Sequence, residues 1–260
     1  ITIVSFYVTF DGNTYYKEGQ DIDHDEFYKK MDQEHLIPKS SLPSVDDYME
    51  AFLPYVESNQ PIICICITAK FSGSYNSAIA AKSQILEKYP TAKIEIIDST
   101  LNTVTQGLYV NEAVRMRDHG LSFEQAVNEL NELKSSGRIY FTVGSLEYLV
   151  KNGRIGKLAT IAGDKLSIKP LIIMKDGDIS LGGITRSREK AKNNIFKLIN
   201  TFFQENHLSK NDYTFTIGTG FDYEEAADFQ LAFETACNVT CNKDIKALIG
   251  STIGCHTGPH

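Results

Sequence analysis

Tryptophan is absent from this 260-residue chain, and cysteine, methionine and proline are scarce, at five, four and seven. The cysteines do not read as a zinc site, which wants two closely spaced pairs. Cys64 and Cys66 lie two apart in an apolar, strand-like run, so both face one way. Cys237 and Cys241 lie four apart in "AFETACNVTCN", a helix-like stretch that places them on one face, and Cys255 stands alone. All five read as buried, reduced thiols. Positive charge is also in short supply. Lysine and arginine total 26 against 33 aspartates and glutamates, a net charge of -7, and no basic run gathers into a patch. That balance argues against nucleic acid as a partner. No apolar run approaches the ~20 residues of a membrane span, and no signal peptide is visible. The expectation is a cytoplasmic protein without an integral membrane segment. Nucleotide machinery is missing too: "IGTGF" lacks the third glycine of a dinucleotide fingerprint, and there is no Walker-type loop. No cofactor is expected.

What is present alternates strand and helix. "ITIVSFYVTF" reads as a strand, "DGNTYY" as a turn and return strand, and "DHDEFYKKMDQE" as a helix capped by Asp23. "KSSLPS" is a hydroxyl-rich loop before a helix capped by Ser44, with Asp46 and Asp47 in its first turn. "PIICICIT" is nearly continuous in apolar residues, as in a parallel strand covered on both faces, and "AKIEIIDST" is a second strand. Two helices follow, the second capped by Ser122, with Gly120 and Gly137 as stops. Beyond Arg138 come a strand, a helix stopping at Asn152-Gly153, and two apolar segments joined by "KDGD", a hairpin signal. After the long helix "SREKAKNNIFKLINTFFQEN", "DYTFTIGTG", "YEEAADFQLAFETAC" and "IKALIGSTIG" read as strand, helix and strand. This is an α/β chain of two domains, 1–145 and 146–260, joined within 138–150. The first is Rossmann-like with a parallel sheet; the second has a mixed or antiparallel sheet. The chain begins at Ile1 inside a strand pattern and stops at "GCHTGPH", so one or both ends are expected to be shortened.

The strongest local signal is "TAKFSGSYNSA". A strand turning into a helix leaves the first N–H groups of the helix unpaired, aimed past the carboxyl end of the strand. Ser72, Gly73 and Ser74 there suit an anion, or else form a plain cap and turn. Ser72 is a poor nucleophile candidate, because Lys-Phe-Ser-Gly-Ser is not the Gly-x-Ser-x-Gly elbow. "NGRIGKL" sets Arg154 and Lys157 beside two glycines, as an anion clamp or as cations at a helix end. "TRSREKA" places Arg186 and Arg188 at a helix start, where cations oppose the dipole; something anionic nearby is one reading and solvated surface arginines the other. "IGCHTGP" puts His256 after an apolar strand, in a glycine-rich loop, free to reach a ligand or to serve structure.

Taken in order, "SLPS", "SGSYNSA", "IIDS", "GRIGK", "KPLI", "TRSREKA" and "IGCHTGP" resemble the DegV family, over nearly the whole chain. Those are bacterial fatty-acid-binding proteins, among them the binding subunit of fatty acid kinase. The first family loop, Thr-Ser-Gln-Pro-Ser, stands here as Ser40-Ser41-Leu42-Pro43-Ser44, keeping the hydroxyl and losing the Gln. Family members usually begin one strand earlier and end in Gly-Pro-Gly and a last strand, where this chain has Gly258-Pro259-His260. The resemblance implies a two-domain DegV-like fold that binds a long-chain fatty acid. Its carboxylate is held by Ser40, Ser72 and Gly73 with His256 nearby, and its acyl chain lies in an apolar tunnel. Arg154 and Arg186 stand at the carboxylate end, toward the added phosphate or toward an ATP-binding fatty acid kinase subunit. That partner converts the acid to an acyl phosphate, and this chain is then a carrier without catalysis of its own. The competing readings are a serine esterase or thioesterase using Ser72 and His256, and a binding protein for another small anion such as a phosphorylated sugar.

Overall fold

A computed structural model supplies the fold, and it describes residues 1–161, 168–242 and 247–259. Strand β1 (Tyr7–Thr9) pairs antiparallel with β2 (Tyr16–Lys17) on one side and β3 (Lys39–Ser41) on the other. Helix α1 (His24–Gln33) lies between β2 and β3, and the Asp23 carboxylate accepts from Glu26 N at 2.7 Å. The stretch from Lys39 to Ser44, expected as a loop, is partly strand, because Ser40 registers against Val8 in the β1–β3 ladder. Helix α2 (Val45–Glu57) follows from a reciprocal capping box: Asp47 N donates to Ser44 Oγ and Ser44 N to Asp47 Oδ2.

Strands β4 (Ile62–Cys66) and β5 (Ile94–Asp98) pair parallel, joined by the crossover helix α3 (Ser74–Lys88). Helices α4 (Thr103–Asp118) and α5 (Phe123–Leu133) come next. Period-two alternation sorts the side chains of this pair. Cys64, Cys66, Ile94 and Ile96 pack with α2 and α3, whereas Ile63, Ile65 and Ile97 pack with α4 and α5. Both faces are covered, which is why the run reads as continuously apolar. The thiols of Cys64 and Cys66 sit 3.8 Å apart on the α2–α3 side, and all five cysteines are unpaired.

Strands β6 (Ile139–Phe141), β7 (Lys169–Lys175) and β8 (Asp178–Thr185) form an antiparallel sheet in that order. The β7–β8 turn is Asp176-Gly177, both with positive φ, the two-residue hairpin that "KDGD" predicts. Between β6 and β7, α6 (Glu147–Lys151) ends at Asn152, with Gly153 in the left-handed region. Helices α7 (Arg188–Glu205) and α8 (Tyr223–Cys237) cover this sheet. They run in the same direction: Arg188 meets Glu225, Phe196 meets Phe229 and Phe233, and Asn200 reaches Ala236 O. One mixed α/β chain thus carries a parallel sheet and two antiparallel ones.

Three expectations fail in the last fifty residues. "DYTFTIGTG" forms no regular strand among the described residues and contributes only single bridges, Phe215 to Cys241 and Thr219 to Leu248. Helix α8 ends at Cys237 because Asn238 turns left-handed, so Cys241 lies beyond the helix rather than on its face. "IKALIGSTIG" was expected as a strand; residues 243–246 lie outside the described residues, and Ser251–Thr257 is helix α9. Its β-branched residues suggest a strand, but packing decides otherwise. Gly254 is pressed so closely on Tyr28 that a Cβ there would lie 2.5 Å from the hydroxyl. The Glu18 carboxylate accepts from Thr252 N and Oγ1 at the start of the helix, where negative charge is favoured.

Candidate functional site

The described residues enclose a cavity of about 1050 Å³, just above the ~300–1,000 Å³ usual for small-molecule sites. Its walls come from β3, the β4–α3 turn, α4, β6, α7, α8 and α9. Much of the wall is apolar, including Phe71, Leu108, Ile195 and Phe229. Along α4 it extends from Thr103 to Arg115, which at 1.5 Å per residue is about 18 Å.

The polar end is assembled from four segments. Ser40, on β3, has its Oγ 2.9 Å from Nε2 of His256. His256 therefore stands in the last turn of a helix, not in the glycine-rich loop expected, and the helix places its ring beside β3. Ser72 Oγ accepts from Ser74 N at 3.1 Å, which leaves the hydroxyl proton free to donate into the cavity. Gly73 caps α3 with its backbone, and Leu42 packs against it, 3.3 Å from where a Cβ would be. Arg154 donates from Nε to Phe71 O at 3.3 Å and from Nη1 to Asn152 O at 2.8 Å. Ser40, Ser72, Arg154 and His256 all line the cavity, and Gly73 does not.

Burial, and then the positive charge of Arg154, push the His256 ring down to about 4, so at neutral pH it is uncharged. Its Nδ1 is buried without a protein partner. The imidazole and the Ser40 hydroxyl are thus a neutral hydrogen-bonding pair beside a cation and a helix N-terminus. Such a combination suits an anion.

The remaining expected residues divide. Arg186 is exposed at the end of β8 and does not line the cavity. Arg188 does, but Nε and Nη2 of its guanidinium are taken by Glu225 of α8, with Nε 2.7 and 2.8 Å from the two carboxylate oxygens, while Nη1 is buried without a partner. The cation at the start of α7 is therefore offset by a neighbouring helix, an arrangement local sequence does not reveal. The pairing pushes the Glu225 carboxyl down. Lys157, read as a possible clamp, pairs with Asp178 at 2.8 Å on the surface.

Asn152 escaped sequence reasoning except as a helix stop. Its Nδ2 donates to Cys255 O at 2.7 Å and Pro38 O at 3.3 Å, tying the end of α6 to α9 and to the approach to β3. It holds Ser40 and His256 in register without touching the cavity. An Asn before a left-handed Gly was the available signal, but its partners lie more than a hundred residues away.

The DegV family model matches residues 1–260. The chain belongs to the DegV family. A DegV domain-containing protein of Clostridium acetobutylicum is 32% identical over 263 residues, covering 100% of this chain and 87% of that protein. Among solved structures, a stearic acid-binding protein from Eubacterium ventriosum superposes with TM-score 0.95 at 50% identity, covering 100% of this chain and 88% of that one. DegV of Bacillus subtilis, a fatty acid binding protein, shares the fold at TM-score 0.78 and 24% identity, over 98% of this chain and 86% of its own. No helix among the described residues of this DegV chain is long and apolar enough to cross a membrane.

Proposed function

We propose that this chain binds one long-chain fatty acid in this cavity. The observation that carries the reading is the pairing of a large cavity walled by Phe71, Leu108, Ile195 and Phe229 with a polar end built from Ser40, Ser72, Arg154 and His256. The carboxylate accepts from the Ser72 hydroxyl, the Gly73 N–H and the Ser40 hydroxyl, with neutral His256 completing the cradle. Burying the acyl chain contributes ~0.8 kcal/mol per methylene, on the order of 10 kcal/mol before ordering costs, so the ligand survives purification. Similarity to the stearic acid-binding protein, at 50% identity, supports the same choice.

The chain then acts in the cytoplasm as a carrier that presents the acid to a separate ATP-dependent fatty acid kinase subunit, which forms the acyl phosphate. Residues up to 145 supply Ser40, Ser72 and Gly73; residues from 146 supply His256 at the carboxylate and Arg154 and Arg186 toward the phosphate or the kinase. The exposure of Arg186 suits a residue that meets a partner. The esterase reading is weaker, since His256 bonds Ser40 and Ser72 bonds Ser74 N, leaving the proposed nucleophile and base without a mutual contact.

Native mass spectrometry of the purified protein, followed by solvent extraction and lipid identification, tests the binding. A stoichiometric fatty acid is expected. A protein that is empty and takes up no added fatty acid overturns the reading. The partnership is tested separately: Arg186→Ala is expected to bind fatty acid normally and to lose kinase turnover.

A further inference from the structure

We propose that Thr68 and Gly177 form a latch that positions the Ser72–Gly73 anion site from outside the cavity. The inference rests on the fatty-acid reading above. Neither residue lines the cavity. Thr68 is completely buried, and each of its polar groups is engaged. Its N–H donates to Leu101 O at 2.8 Å, anchoring the turn to the end of β5. Its carbonyl accepts from Phe71 N at 3.1 Å and Ser72 N at 3.3 Å, folding the chain back so that Ser72 is delivered to the start of α3. Its Oγ1 accepts from Lys70 N at 3.3 Å and donates to Gly177 O at 3.1 Å.

Gly177 is the tip of the β7–β8 hairpin, 109 positions away. Its backbone is left-handed, and a Cβ there would lie 2.4 Å from Thr68 Oγ1 and 3.5 Å from the Thr100 Cβ. The hairpin backbone touches the turn, and only glycine allows that approach. A second bond from the same half of the chain, Arg154 Nε to Phe71 O, holds the other end of the turn. The turn carrying the anion donors is therefore clasped by the distant sheet, and the aim of the Ser72 hydroxyl and Gly73 N–H depends on the clasp. Donors must be held within about 0.5 Å of the productive geometry to be effective. The role of Thr68 is positioning, with no contact to ligand.

The test compares stearic acid with octadecanol, which has the same chain and no carboxylate. Thr68→Val keeps the shape and removes the hydroxyl. It is expected to bind stearic acid about tenfold more weakly, the scale of one charge-assisted hydrogen bond misaligned, with octadecanol unchanged. Thr68→Ser restores acid binding. Gly177→Asn tolerates the left-handed backbone but sets a Cβ against Thr68, and the same acid-selective loss is expected; it carries the test if Thr68→Val does not fold. Parallel loss of acid and alcohol, or unchanged acid binding, overturns the latch alone. A wild-type protein that takes up neither lipid overturns the fatty-acid reading and the latch with it.

Discussion

Ser72 and His256 reach the same polar end by opposite routes. Ser72 sits on a turn between a parallel strand and its crossover helix, within one supersecondary unit, and its hydroxyl accepts from Ser74 N two residues on. His256 sits on a seven-residue helix too short to be stable alone. That helix exists because Tyr28, Glu18 and Asn152 hold it: through the Gly254 packing and the Tyr28 hydroxyl on Ile249 O, through Thr252, and through Cys255 O. Ser72 thus takes its place from a local unit, whereas the neutral histidine at the same end is a product of long-range packing. Changes that unseat α9 are expected to cost stability and binding together, whereas changes at the β4–α3 turn cost binding with little stability.

The largest break is Tyr28→Ala. The ring is fully buried and packs against Gly220 and Gly254, so its removal is expected to cost ~3–5 kcal/mol in chemical denaturation and to release α9. Ser72→Ala inverts the pattern. Stearic acid affinity by titration calorimetry falls about ten- to a hundredfold, while the unfolding midpoint moves little, because the bond from Ser74 N is the one structural bond lost. Asn152→Ala, outside the cavity, removes two bonds that join three segments; a loss of ~1–3 kcal/mol is expected, with weaker acid binding alongside.

Acidification sharpens the contrast further. His256 is held near 4 in the folded protein against an ordinary 6.5, so between those values the unfolded chain binds the extra proton. Its contribution is complete above pH 6.5 and is lost as pH falls toward 4, at up to about 1.4 kcal/mol per pH unit. His256→Gln is expected to flatten that part of the stability profile. Ser44→Ala is the smallest change: it removes the α2 cap for ~1 kcal/mol and leaves acid binding as it was, which thermal unfolding and titration check together.

Local chemistry was legible where neighbours in sequence make the structure. The caps at Asp23, Ser44 and Ser122, the Asp176-Gly177 hairpin and the two-faced burial of β4 all follow from short-range donors, turn residues and periodicity. So does the Ser72–Gly73 turn, since a strand-to-helix junction leaves N–H groups free whatever surrounds it. The segments 212–220 and 247–254 were misread as strands because single bridges and a short packed helix leave no periodic trace. The answer of Glu225 to Arg188, the bond of His256 to Ser40 and the contact of Gly177 with Thr68 were equally invisible, because each joins residues far apart in sequence. The sequence by itself determined most of the elements, their caps and the residues of the Ser72–Gly73 turn, all governed by interactions within a few residues. Only the tertiary structure decided where α9 would form, which serine the histidine would meet and how long the cavity would be, since those depend on closing loops of tens to hundreds of residues around a shared core.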